Sequence, residues 1–348
     1  MPTTRSDAEP GSASTTPTTR SGAEPGSAST TPATRGDAEP GSASTTGPPA
    51  LLLVGHGTRS QAGVAEYLAL ADRVRTLAAS RTAGPDVGCG FIELSPPPIS
   101  TAVADLVAVG HRRLVVVPLV LFDAGHAKTD VPASVALARA AHPGVTFTYG
   151  RALGVHPNLL DVTVERLEAC VAADERAATA VLVVGRGSSD PHANAELHRV
   201  ARLLWEGRDW PLVEPAFVGL TAPRVPDGLD RLCALGARRI VVMPYFLFTG
   251  VLADRIADQA QAFADDHPDV SVQVARWLGP DDRIASLVLD RYDEARTGTV
   301  PRHCDTCVHR VALPGFDDKV GAPLRPHRHP HDAATHAHPH APAAGAWT

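Results

Sequence analysis

Five stretches of this chain recur in the same order about 126 residues further on, and that duplication limits the fold more than any other feature. LLLVGHGTRS at Leu51–Ser60 matches VLVVGRGSSD at Val181–Asp190, and FIELSPP at Phe91–Pro97 matches FVGLTAP at Phe217–Pro223. AVGHRRLVVVP at Ala108–Pro118 matches ALGARRIVVMP at Ala234–Pro244. HPGV at His142–Val145 and RALG at Arg151–Gly154 return as HPDV at His267–Val270 and RWLG at Arg276–Gly279. One architecture, used twice, must therefore accommodate both copies.

Within each copy, apolar runs of four to seven residues alternate with helical patterns. The first copy reads as strands at Leu51–Val54, Val87–Glu93, Leu114–Val117 and Val145–Tyr149. Helices are expected near Ala62–Ala79, Ile99–Val109, Val131–Ala141 and Leu159–Val171. The second copy repeats the strands at Ala180–Val184, Val213–Val218, Ile240–Met243 and Val270–Val274. Continuous Val- and Leu-rich runs suit strands buried on both faces. Strand and helix in strict alternation imply parallel sheets with right-handed crossovers. The expected fold is α/β, with two tandem doubly wound parallel-sheet domains at residues 48–175 and 176–298.

The ends of the chain differ from this core. Residues 1–47 hold three near-copies of a fifteen-residue Ser/Thr/Ala/Gly/Pro segment and no aromatic, Leu, Ile or Val residue. Such a segment cannot bury enough apolar surface to offset its ordering entropy, so a disordered tail is expected. Residues 299–348, rich in Pro, His and Ala toward the end, read likewise as a tail. A formal net charge of −6 argues against nucleic acid as the partner. No apolar run is long enough to span a membrane, no secretory signal is visible, and the odd count of five cysteines suits a reducing cytoplasm.

In open parallel sheets, ligands bind at the carboxyl ends of the strands. In the first copy three polar residues fall there. His56 follows the first strand, Glu93 ends the second, and His126 lies in the loop after the third. Two imidazoles and a carboxylate suit a first-row divalent metal, and a carboxylate there could also take protons. The second copy acts as an internal control. It holds Arg186, Gly219 and Val251 at those positions, while the strand residues and neighbouring glycines remain. Joint loss suggests a joint task that only the first copy performs. Neither copy has a three-glycine dinucleotide fingerprint or a P-loop.

GHGTRS, FIELSPP and VVVPLVLFDAGHAKTDVP, in this order, resemble the class II sirohydrochlorin chelatases. The doubled form, over about Leu51–Glu294, is similar to the long cobaltochelatases of the anaerobic-type cobalamin pathway. The resemblance implies a lyase that inserts Co2+ into sirohydrochlorin or its precursor without ATP. It makes His56 and His126 the metal-binding residues and Glu93 a catalytic assistant, with unit two forming the other wall of the cleft. The ring carries many carboxylates, so cationic groups should line the cleft; Arg59, Lys128 and Arg186 are the candidates. A ferrochelatase loading Fe2+ for sirohaem is an alternative, and a non-catalytic metal-delivery protein is another. The partner expected is the tetrapyrrole alone, with neither nucleic acid nor membrane, and the chain should be a monomer with a pseudo-dimeric core.

Beyond the second copy, Cys304 and Cys307 form a Cys-x-x-Cys pair, a usual metal or cluster half-site that two thiolates alone rarely complete. The resemblance associates an iron–sulfur cluster with it; a redox pair, or no role, stays open. Six histidines between His327 and His340 could buffer a metal or merely solubilise the tail.

Overall fold

A computed structural model describes residues 47–124, 128, 130–219 and 221–298. The readings made of the two tails, of His126 and of Cys304 and Cys307 fall outside the described residues. Two four-stranded parallel sheets form the framework. In the first, β1 (Ala50–Gly55), β2 (Val87–Phe91), β3 (Arg113–Pro118) and β4 (Thr146–Tyr149) lie in the order β2-β1-β3-β4. In the second, β5 (Ala180–Gly185), β6 (Val213–Phe217), β7 (Arg239–Pro244) and β8 (Ser271–Val274) repeat that order as β6-β5-β7-β8. The registers also repeat: Leu53 lies beside Cys89 and Val117, and Val183 beside Pro215 and Met243.

Helices α1 (Gln61–Ala79), α2 (Ile99–Ala108), α3 (Asp130–Ala141) and α4 (Pro157–Glu168) follow β1 to β4 in turn. α5 (Pro191–Trp205), α6 (Val225–Ala234), α7 (Val251–Asp266) and α8 (Asp282–Thr297) follow β5 to β8. One face of each central strand packs on its own unit's helices. Leu52, Val54, Leu114 and Val116 meet Val103 of α2 and Val135 of α3. Leu182, Val184, Ile240 and Val242 meet Leu229 of α6 and Ile256 of α7. The other faces, with Leu51, Leu53, Val115 and Val117 from one sheet and Val181, Val183, Val241 and Met243 from the other, belong to a single apolar cluster. The expected doubly wound α/β fold is therefore present, and its two copies share a core. No helix among the described residues is long and apolar enough to cross a membrane.

The helices that close each copy are exchanged. α8 packs on α1, β3 and β4, and α4 packs on α5 and β7. Polar contacts reinforce the exchange. Arg291 of α8, 1% exposed, donates from Nε to the carbonyls of Ala152 and Leu153 at 3.2 Å each. Its Nη1 donates to Glu294 Oε1 at 2.9 Å, and Arg151 donates to the same carboxylate at 2.9 and 3.1 Å. Tyr292 donates to the Pro49 carbonyl at 2.7 Å. In return, Asn158 of α4 donates to the Arg283 carbonyl at 2.9 Å, and Arg166 to that of Leu278 at 3.1 Å.

Removing one member of a buried ionic network costs more than never having formed it, because the other charge stays buried. Glu294→Gln is therefore expected to lower stability by about 3 kcal/mol, read as a fall in the urea midpoint with an unchanged slope.

Candidate functional site

The rim at the carboxyl ends of β1, β2 and β3 is built by two loops held together along their backbones. Ile92 N–H donates to the Gly55 carbonyl at 2.9 Å, and Glu93 N–H to the His56 carbonyl at 3.1 Å. Ser95 completes the fastening: its hydroxyl accepts from Thr58 N–H at 3.0 Å and donates to the Thr58 carbonyl at 2.8 Å. Gly57 has φ +94°, and a Cβ there would lie 1.7 Å from the Glu93 carbonyl oxygen. Only glycine tolerates both the left-handed backbone and that approach.

These constraints bring two of the three expected site residues together. His56 Nε2 lies 3.6 Å from Glu93 Oε1, an ion-pair distance longer than a hydrogen bond. His56 Nδ1 lies 3.2 Å from the Gly57 carbonyl. A carbonyl only accepts, so this contact suits the tautomer with its proton on Nδ1, the form in which Nε2 would be the ligand nitrogen. Their side chains are 29% and 52% exposed, although the Nε2 atom of His56 is itself buried. The placement of Glu93 corrects the sequence reading. β2 stops at Phe91, whose N–H turns to the Pro97 carbonyl at 2.9 Å, and Glu93 stands two residues past the strand end. Leu94 beside it adopts φ +62° and is half-exposed. His126 lies outside the described residues, and among those described no three His, Cys, Asp or Glu side chains could hold a metal together.

Of the candidate cations, Arg59 and Arg186 are exposed on the loops after β1 and β5. Lys128 forms an ion pair with Asp190, the N-cap of α5, and so links the two copies. This ammonium, with the His192 N–H, holds the Asp190 carboxyl below the usual carboxylate range. In the second copy Gly219 occupies the position of Glu93, and a Cβ there would lie 2.5 Å from the Arg186 carbonyl oxygen. The loss of the acid is thus built into the backbone of that copy.

The rim continues past β3 into a cavity of about 390 Å3 between the two copies. Its lining includes Phe122, Lys128 and Arg151 from the first copy, and His192, Glu196 and Arg199 of α5 from the second. The three residues of α5 went unnoticed in the sequence because helical periodicity alone gives no reason to single them out.

Gly57→Ala is expected to push the residue 93 carbonyl away and to cost at least about 1–3 kcal/mol for the strained backbone alone. Gly187 is the matching residue, at φ +82°, where an added Cβ meets nothing nearer than 3.2 Å. Thermal melts should therefore rank Gly57→Ala below Gly187→Ala.

The CbiX family model matches residues 50–170 and again 180–295. A sirohydrochlorin cobaltochelatase of Priestia megaterium is 36% identical over 266 residues, covering 76% of this chain and 85% of its own. A sirohydrochlorin ferrochelatase of the same organism is 30% identical, covering 69% and 87%. Among solved structures, SirB from Bacillus subtilis with Fe3+ superposes with a TM-score of 0.62 at 27% identity, covering 72% of this chain and 97% of that one. The sirohydrochlorin chelatase SirB from Bacillus subtilis subspecies spizizenii, in complex with cobalt, gives 0.59 at 28% identity, covering 72% and 96%. With two successive matches to one family model and relatives aligned across both halves, the chain belongs to the CbiX family in its double-unit form.

Proposed function

We propose that this protein is a sirohydrochlorin chelatase that inserts Co2+ without ATP. The observation that carries the reading is the meeting of His56 Nε2 and Glu93 at 3.6 Å on the rim of the first sheet, with Arg186 and Gly219 in their places on the second. The metal is the substrate, held by His56 with His126 as the second imidazole. Insertion exchanges imidazole for ring nitrogens: two metal–nitrogen bonds to the enzyme break, four to the ring form, and two ring N–H protons leave. Glu93 lies close enough to the metal-holding imidazole to accept one of them and pass it to water from its half-exposed carboxylate, and the other goes to an imidazole freed of the metal. Neutral imidazole captures a divalent ion and still releases it, whereas a thiolate set would hold it.

Cobalt is favoured because the 36%-identical relative is named a cobaltochelatase and spans both halves. Fe2+ is the second reading, supported by the ferrochelatase relative. The test is anaerobic absorbance with sirohydrochlorin and either ion. Acceleration over the protein-free rate with Co2+ supports the assignment, and acceleration with Fe2+ alone moves it to ferrochelatase. No acceleration with either leaves a metal-delivery protein. An iron–sulfur cluster at Cys304 and Cys307 is a separate proposal outside the reaction, tested by iron and acid-labile sulfide in Cys304→Ser. One chain supplies both walls of the cleft, so we expect a monomer by size-exclusion chromatography.

A further inference from the structure

Beneath the His56 rim the first copy buries a polar group that the second copy does not have. α1 and α5 start from matching caps, Ser60 and Asp190, so Tyr67 of α1 corresponds to Leu197 of α5. Both side chains fill the same place. A Cβ on Gly55 would lie 2.6 Å from the Tyr67 ring, and one on Gly185 would lie 2.9 Å from Leu197. Leucine therefore meets the packing need of this position. What tyrosine adds is a hydroxyl, and in a side chain only 2% exposed that hydroxyl has to find a partner.

The hydroxyl donates to the Leu53 carbonyl at 3.1 Å and to the Gly90 carbonyl at 3.3 Å. Burial pushes the phenol well above its ordinary range, so it stays a donor. One proton shared between two carbonyls ties β1 to β2. Each tied residue stands three before a site residue, Leu53 before His56 and Gly90 before Glu93. The ring also packs on Phe91, with 4.4 Å between centroids, and Phe91 is where β2 ends. Tyr67 thus touches both strands where the His56 and Glu93 loops spring from them.

The second copy braces this ring from the other side. Phe248 meets Tyr67 edge-on, with centroids 5.8 Å apart. Beside it, Glu66 of α1 accepts from Thr249 N–H at 2.8 Å and from the Trp277 indole at 2.9 Å. A Cβ on Gly63 would lie 2.8 Å from the Thr249 carbonyl oxygen, so α1 and the loop after β7 touch. We infer that Tyr67 is a positioning residue for His56 and Glu93: its hydroxyl, with the ring braced by Phe248 of the second copy, fixes the spacing of the two side chains. That this spacing serves a metal rests on the chelatase reading. The second copy then supports the site of the first through α1, without a site of its own.

Tyr67→Phe keeps the ring and deletes only the hydroxyl. Thr163→Val is the control, because it deletes another buried hydroxyl, one that donates to the Leu159 carbonyl at 2.6 Å within α4. With whichever ion the protein inserts, Tyr67→Phe is expected to lower kcat about tenfold, the lower end of what a group orienting a metal ligand is worth. KM for sirohydrochlorin should stay within about twofold, and Thr163→Val should leave both constants alone. Calorimetric titration with Co2+, without the ring, should show binding to Tyr67→Phe about tenfold weaker than to the wild type. A kcat loss below about threefold, a loss carried by KM, or an equal loss in Thr163→Val overturns the assignment. If Tyr67→Phe does not fold, Phe248→Leu loosens the ring from the second copy and is held to the same limits. If the wild type binds Co2+ through His56 yet inserts neither Co2+ nor Fe2+, the chelatase reading fails and the Co2+ affinity decides: weaker binding by Tyr67→Phe sustains the positioning role, and unchanged binding ends it. A wild type that neither binds Co2+ nor inserts a metal overturns both.

Discussion

His56→Ala should lower the rate of cobalt insertion by about a hundredfold or more, with the thermal melt almost unchanged. Loss of a group that merely orients a metal ligand typically costs 10–100-fold in affinity or activity, so loss of a ligand itself should cost no less. The side chain is 29% exposed and outside the three apolar clusters, so its removal leaves the packing alone. Anaerobic progress curves with sirohydrochlorin check it, and a rate within tenfold of wild type would remove His56 from the mechanism. The converse experiment should fail. Arg186→His with Gly219→Glu restores two of the three residue types to the second copy, but any Cβ at residue 219 collides with the Arg186 carbonyl. A second active site is therefore not expected from that pair.

The strands were legible in the sequence because they are buried on both faces. Leu51 to Val54 and Val181 to Val184 are at most 1% exposed, and a run of four such residues leaves little choice of structure. Comparing the copies singled out His56 and Glu93, which the structure brings together, because a shared scaffold makes their differences readable. It misplaced Glu93 by extending β2 two residues too far: the apolar pattern runs on through Ile92, while the backbone has already turned to Pro97. The cavity was half visible. RALG and RWLG are equivalent segments, and the Ala152/Trp277 difference inside them lies on the lining of the cavity. What made it significant, the acceptance of the indole by Glu66, is a contact between halves more than 200 residues apart. Periodicity cannot report such a contact. The exchange of α4 and α8 was hidden for the same reason: an amphipathic helix shows that it has an apolar face without saying which sheet receives it.

That exchange sets the second large expectation: residues 48–175 and 176–298, made separately, should not fold. Cut between residues 175 and 176, the first half keeps β1 to β4 but loses α8. α8 buries Ile284, Leu287, Val288, Leu289 and Tyr292. At about 1.5–3 kcal/mol for each large apolar side chain, the loss is on the order of 10 kcal/mol as an upper figure. That is comparable to the whole stability of an ordinary domain, roughly 5–15 kcal/mol. The first half also loses the Arg291 contacts to Ala152 and Leu153 and the Glu294 carboxylate that pairs with Arg151. The second half loses α4, whose Leu159, Leu160, Val162 and Leu167 belong to the shared cluster. Made together, the halves carry the contacts within residues 48–298 and, in that span, lack only the peptide bond between residues 175 and 176. They should then assemble into a one-to-one complex that melts cooperatively and regains chelatase activity. The check is calorimetry of each half, followed by the co-expressed pair. A first half that melts alone as a cooperative unit within a few degrees of the full chain would mean that the first sheet closes without α8. The shared cluster would then be a contact between independent domains, and the cavity beside Arg151 would be free to widen by domain motion.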